Sequence, residues 1–258
     1  MWGAFDRAYR LWTYLHSAFL LLLTLFISPF FIVPKELFLW VLPPYAAVSM
    51  LSLYTLGGWE ERRSADLLTA SRGFAAAALF LYAALLPDFS YLGSLSFHWL
   101  LVGFLAVVEL SDFFDGRLAR RRGCRSFGAV WDMENDALFI YSLTLVGWVH
   151  LGFPLWALLI GLMRYLYFLA FRVTGDPPGS PESYKRFAKS VAALIAVGLL
   201  LGYVPLLTGI HRNLLLALIL FLQTISFGWD LLLQVRAGRN RLFVPAEEKI
   251  PGKMGIWR

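Results

Sequence analysis

Apolar residues along this chain come in runs of about 20, separated by short clusters of charged residues, glycine and proline. That is the length an α-helix needs to cross the hydrocarbon core of a bilayer. The runs predict eight spans: His16 to Val33, Leu37 to Leu56, and then residues 66–86, 97–122, 126–150, 154–174, 182–204 and 212–236. The flank of the first run is basic but interrupted by Asp6, and no small-x-small cleavage site follows. That run is therefore expected to stay in the mature protein rather than act as a secretory signal. Pro43 and Pro44 fall inside the second run, where they kink a helix at a cost that neighbouring helices can offset. The expected fold is an all-α polytopic membrane protein. An N-terminal amphipathic segment and transmembrane hairpin occupy 1–60, a six-helix unit 61–236, and a basic tail 237–258. The tail lacks helical periodicity and is expected to lie loosely near the lipid head groups.

Composition supports the membrane assignment. Of the 258 residues, 59% are apolar and 16% charged, against roughly 25% charged in an ordinary soluble domain. A soluble core of this size has no room for that much apolar surface. The net charge of +6 suggests nucleic acid at first sight, but the placement of the charges argues otherwise. With the N-terminus inside, 19 of the 23 Lys and Arg residues fall on the cytoplasmic side. Lys35 and Arg212 fall outside, and Arg72 and Arg164 lie within spans. The positive-inside rule selects this orientation. Both termini are expected in the cytoplasm, the protein in a bacterial inner (plasma) membrane, and no nucleic acid as partner. A single cysteine, Cys124, excludes an intramolecular disulfide.

Ionisable side chains inside a span cost about 2.5 to 3.5 kcal/mol each on insertion scales, so a cluster of them marks function. Asp112 and Asp115 stand at i, i+3 on the fourth span, Asp132 and Asp136 at i, i+4 on the fifth, so each pair lies along one helix face. The turn Arg121-Arg-Gly-Cys-Arg125 makes these helices antiparallel neighbours with both pairs near the cytoplasmic end. Four converging negative charges call for compensation. Two divalent cations would supply it, and all-oxygen ligands favour Mg2+ or Mn2+. The plainer alternative pairs each aspartate with an arginine at a helix end. A calcium loop fails on detail, since Ala137 stands where that loop needs glycine and Leu143 where it needs a bidentate carboxylate.

The segment Ser111-Asp-Phe-Phe-Asp-Gly-Arg-Leu-Ala-Arg120, followed by Gly128-Ala-Val-Trp-Asp-Met-Glu-Asn-Asp136, resembles the signature of the CDP-alcohol phosphatidyltransferases: D-x2-D-G-x2-A-R, a spacer, then G-x3-D-x3-D. Asp112, Asp115, Gly116, Ala119, Arg120, Gly128, Asp132 and Asp136 fill all eight fixed positions. The spacer holds seven residues where the family usually has eight. Asp66-Leu-Leu-Thr69-Ala-Ser-Arg72 resembles the N-x-x-T-x-x-R start of the family's first core helix, with Asp66 in place of asparagine.

The resemblance implies a six-helix core, a homodimer, and transfer of a phosphatidyl group from CDP-diacylglycerol or a related CDP-lipid to an alcohol, with release of CMP. It implies that Asp112, Asp115, Asp132 and Asp136 hold the two cations and that Asp136 is the general base. Gly116, Ala119 and Gly128 would lie against the cytidine, with Asp66 and Thr69 counted among the CDP-binding residues. Arg120 would clamp the pyrophosphate; its alternative is a positive-inside marker like Arg121 and Arg122.

Arg164, well inside the sixth span, needs an anion. It resembles the arginine that family members with phosphorylated acceptors carry on this helix, and Lys189, beyond Arg186 on the next helix, resembles their acceptor-side lysine. A phosphorylated polyol is therefore the expected acceptor. The alternatives are that Arg164 pairs with an intramembrane acid such as Glu109 or Asp230, or that Trp131, Tyr165 and Tyr167 box a quaternary amine. Glu109 also stands close enough in sequence to join the metal shell. The N-terminal hairpin carries no assigned chemistry beyond packing or dimerisation. An intramembrane prenyltransferase is a second enzyme class, but its N-D-x2-D-x3-D pattern meets Ser111 and Ala119 here. A cation transporter is the non-enzymatic reading; its acids belong at the midplane rather than near the cytoplasmic ends.

Overall fold

The computed structural model describes residues 2–27, 35–56, 72–81, 99–110, 126–174, 182–207 and 209–242. Within them the chain forms eight α-helices: α1 (Trp2–Ile27), α2 (Lys35–Leu56), α3 (Arg72–Leu81), α4 (Trp99–Leu110), α5 (Ser126–His150), α6 (Leu158–Thr174), α7 (Glu182–Gly202) and α8 (Gly209–Leu242). No strand occurs among the described residues. The all-helical expectation holds, and two boundaries move. The first helix starts at Trp2, so the amphipathic segment and the apolar run form one helix of 26 residues. The last helix continues to Leu242, which corrects the expectation of a loose tail from residue 237. α2 runs through Pro43 and Pro44 without a break.

Helix α5 is the centre of the bundle. From Ala137 to Val146 nearly every side chain is buried, including Leu138, Tyr141, Leu143 and Leu145. A helix apolar on all sides is stable only with neighbours on all sides. α6 packs along α5, α2 and α7 touch it, α1 packs on α2 and α6, and α7 and α8 form a pair that closes on α6. The α5–α6 turn is made by Gly152, whose φ of 69° few residues other than glycine adopt. Around it the amides of Leu151 and Phe153 both donate to the Gly147 carbonyl at 3.0 Å, a glycine cap that ends α5 and reverses the chain.

Close helix contacts depend on small residues. A Cβ on Gly161 of α6 would lie 2.6 Å from the Tyr141 Cα, and one on Gly198 of α7 would lie 2.5 Å from Ile219. Gly161 lets the α5 and α6 backbones approach as no larger residue could, whereas at Gly198 the atom in the way is the end of the Ile219 side chain. The outer surface is the reverse of the core. Along α8, Leu214, Leu218, Phe221, Ile225, Trp229 and Leu232 form an exposed stripe at helical spacing. A stripe of this kind suits lipid rather than water. Among the described residues Gly209–Leu233 meets the length and apolarity needed to cross a bilayer, with a mean hydropathy of 1.8.

Candidate active site

Of the sequence-predicted site residues, Asp66, Thr69, Asp112, Asp115, Gly116, Ala119 and Arg120 lie outside the described residues. Gly128, Asp132, Asp136, Arg164, Arg186 and Lys189 lie within them. Gly128 falls in the first turn of α5. Asp132 and Asp136 follow it, one turn apart on one helix face.

Both carboxylates meet Arg72, the first residue of α3. Its guanidinium bonds Asp132, and its Nη1 lies 2.5 Å from the Asp136 Oδ1. Arg72 is itself buried, whereas the two aspartate side chains keep 41% and 40% of their surface exposed. α3 comes this close because Gly73 faces α5; a Cβ there would meet the Asn135 Oδ1 at 2.3 Å. Asn135 in turn is held by its Nδ2, which donates to the Trp131 carbonyl at 2.9 Å. Among the described residues no three His, Cys, Asp or Glu side chains gather into a metal site. The donor chemistry still fits a hard divalent cation: two carboxylates on one face, with oxygens partly open beyond the arginine.

The opposite face of α5 carries a second ion pair. Glu134, two residues from each aspartate, is fully buried and accepts from the Arg164 Nη2. Its Oε1 also accepts from the Tyr9 hydroxyl at 2.7 Å, a contact spanning 125 residues of sequence. The alternative that Arg164 pairs with an intramembrane acid is therefore met, with Glu134 rather than Glu109 or Asp230 as the acid. Asp230 takes the Tyr167 hydroxyl instead, and the acid that Arg164 meets stands inside the signature itself. The aromatic box is not formed as expected either. Tyr165 is fully buried beside His16, Trp131 packs on Tyr54, and Tyr167 packs on Phe227.

Between α5, α6, α7 and α8 lies a cavity of about 230 Å3. Asp136 and Arg164 line it together, with Tyr184, Gln223 and Ser226 as its other polar groups and Ile140, Ile160, Val191 and Ile195 among the apolar ones. Gln223 Nε2 donates to the Ile160 carbonyl at 3.0 Å, while its buried Oε1 and the buried Nε of Arg164 have no partner. Tyr184 donates to the Ser226 carbonyl at 2.7 Å. On α7 the lining residues are Tyr184, Ala188, Val191, Ala192 and Ile195. At about 100° per residue, Arg186 points away from that face and Lys189 stands well to one side of it; both are exposed. Sequence reasoning thus found one of the cavity's charged groups on each of two helices, Asp136 and Arg164. It missed Glu134, Tyr9 and Gln223. The available signal was Glu134: an acid on the reverse face of the aspartate helix requires a cation of its own.

No curated protein and no solved structure matches this chain. A family model does: CDP-alcohol phosphatidyltransferase, over residues 62–229, which is more than half of the chain and takes in α3 to α6, α7 and most of α8. The eight signature positions fall within the matched residues, and the chain belongs to the CDP-alcohol phosphatidyltransferase family.

Proposed function

We propose that this protein transfers the phosphatidyl group of CDP-diacylglycerol, or a related CDP-lipid, to the hydroxyl of a small polar alcohol, a phosphorylated polyol, with release of CMP. Family membership establishes the coarse part, a membrane-integral transferase of phospholipid biosynthesis that uses a CDP-alcohol. The observation that supports the finer reading is that Asp136 and Arg164 line one cavity. A carboxylate and a guanidinium facing one space suit an alcohol that carries an anion: the first takes a proton from the hydroxyl, the second holds the anionic group. Glu134 occupies one of the five N–H donors of Arg164, which leaves others for a ligand. The unpartnered Gln223 Oε1 is ready to accept from a second hydroxyl of a polyol.

Attack of the alcohol oxygen on the β-phosphorus forms the new P–O bond and breaks the bond to CMP, while Asp136 takes the hydroxyl proton. Asp112, Asp115, Asp132 and Asp136 would hold two divalent cations, Mg2+ or Mn2+, and these, when bound, neutralise the charge of the pyrophosphate. Arg120, Gly116, Ala119 and Gly128, with Asp66 and Thr69, are the proposed CDP site. The donor reaches the site from the bilayer and the alcohol from the cytoplasm; the expected assembly is a homodimer in a bacterial inner membrane. The test is CMP release by the purified protein with CDP-diacylglycerol and, in turn, glycerol phosphate, inositol phosphate, inositol, serine and choline. Turnover is expected with a phosphorylated polyol. Turnover with serine or choline alone would overturn the acceptor, and no CMP release with any alcohol or CDP-lipid would overturn the transfer itself.

A further inference from the structure

Helices α1 and α2 precede the residues matched to the family, yet they reach the acceptor side of the site. α1 packs along α6, and at its N-terminal end Tyr9 donates to Glu134 Oε1, the same oxygen that accepts from Arg164. The Tyr9 ring is fixed by Trp12, stacked at 6.4 Å, and by the edge of Phe168 at 6.4 Å. Two turns on, His16 closes a second contact. Its Nδ1 meets the Tyr45 hydroxyl at 2.6 Å and the Ser49 hydroxyl at 2.9 Å, and its Nε2 meets the Tyr165 hydroxyl at 3.4 Å. α1 therefore touches both the acid that holds Arg164 and the residue next to Arg164 in the chain.

Glu134 is a fully buried carboxylate whose second oxygen has no partner. Its charge is carried by two donors on one oxygen, and in a low-dielectric site each donor bears more of the load when the other is removed. Tyr9 and Arg164 are the two donors that fix the Glu134 carboxylate, and loss of the Tyr9 hydroxyl leaves that carboxylate free to turn and carry with it the guanidinium it holds in the cavity.

We propose that Tyr9 is a positioning residue for the acceptor alcohol: from a helix outside the family domain, its hydroxyl shares Glu134 with Arg164 and so sets where the guanidinium sits in the cavity. This rests on the reading of Arg164 as the cation that holds the acceptor's anionic group. Tyr9→Phe removes the hydroxyl and keeps the ring contacts. With the full chain in nanodiscs, CDP-diacylglycerol as donor, and glycerol phosphate and inositol phosphate as acceptors, this variant is expected to raise the KM of the phosphorylated alcohol about tenfold. Its kcat and the KM for the donor should stay within about twofold. Tyr45→Phe is the matched control, a hydroxyl lost from the same hairpin at His16, and should lower thermal stability without moving the alcohol KM. In the double variant Tyr9→Phe/Arg164→Gln the loss should be no greater than in Arg164→Gln alone, because Tyr9 acts through the guanidinium. An unchanged alcohol KM in Tyr9→Phe where Arg164→Gln raises it, or losses that multiply in the double variant, would overturn the inference and leave the acceptor reading standing. If Arg164→Gln leaves the alcohol KM unchanged, the acceptor reading itself fails and this inference with it.

Discussion

Helix α5 carries two arginine–carboxylate contacts on opposite faces, built from residues only two positions apart. On one face Arg72 spans Asp132 and Asp136, whose side chains remain 41% and 40% exposed. On the other Arg164 meets Glu134, which has no exposed surface at all and shares its bound oxygen with Tyr9. The first contact can exchange partners on its carboxylate side: one half-exposed aspartate that releases the guanidinium regains water or a cation at small cost, while the buried Arg72 keeps the other. The second cannot, because an unpaired charge left in the interior has nothing to replace what it loses. The described aspartates of the family signature, Asp132 and Asp136, lie on the exchangeable face, and the fixed pair includes the arginine that shares the cavity with Asp136. On the proposed function, chemistry and positioning are thus divided between two sides of one helix.

The sharpest way to break this division is to remove the base. Asp136→Asn should lower kcat by about 100- to 10,000-fold, the range of a lost general base. The affinity for CDP-lipid should stay within about tenfold, since a base acts on the transition state more than on the ground state. Stability should hardly change, because Arg72 keeps Asp132. Near-normal turnover would remove Asp136 from the chemistry. Chelation tests the same face without a mutation: EDTA should abolish CMP release and added Mg2+ or Mn2+ restore it, whereas full activity after exhaustive chelation would mean that the aspartates hold no required cation.

On the fixed face the larger effect should fall on folding. Glu134→Ala leaves the partly buried Arg164 without its acid and should cost about 3 kcal/mol of stability, the lower end for a broken buried pair, read as a lower unfolding midpoint in detergent. Replacing both partners, Glu134→Leu with Arg164→Met, should recover most of that stability, since a buried pair exchanged for apolar groups of similar volume is often close to neutral. It should not recover use of a phosphorylated alcohol. A double variant that is stable and fully active would show that the pair is only a structural device.

The two faces were unequally legible in the sequence. Asp132 and Asp136 declare themselves because i, i+4 acids within an apolar run are costly and the glycine and arginine spacing around them is restrictive. Arg164 declared itself as a buried cation for the same reason, but its partner did not. The acid was sought on other spans, at Glu109 and Asp230, where helix packing sets distances that spacing cannot. Glu134 stands between the two aspartates in sequence, so spacing alone does not single it out, although at about 100° per residue it faces the other way. The hairpin shows the same limit more strongly. Its apolar runs predict α1 and α2, but nothing local to Tyr9 points to a residue 125 positions away. The C-terminal boundary differs for another reason: arginine-rich sequence without an apolar stripe carries no helical periodicity, yet a long helix carries its last turns beyond the apolar surface that stabilises it.

The smallest effects should come from two glycines, and their difference measures how rigidly each face is held. A Cβ at Gly161 meets the Tyr141 Cα at 2.6 Å, so α5 and α6 themselves must separate to admit it. Backbone cannot turn aside as a side chain can, and Gly161→Ala should cost about 1 to 3 kcal/mol. Because Arg164 lies one turn further along α6, the same shift should raise the KM of the phosphorylated alcohol. Gly73→Ala meets the Asn135 Oδ1 at 2.3 Å, but that atom is the end of a side chain. Asn135 can rotate, giving up its bond to the Trp131 carbonyl at a cost of about 1 kcal/mol. Thermal unfolding of the two variants, with alcohol and donor KM measured on each, separates the cases. A larger loss at Gly161, confined in its kinetic effect to the alcohol, supports a rigid pair behind an adaptable one. Equal losses, or a greater loss at Gly73 with a raised donor KM, would mean that the aspartate face is the more tightly built of the two.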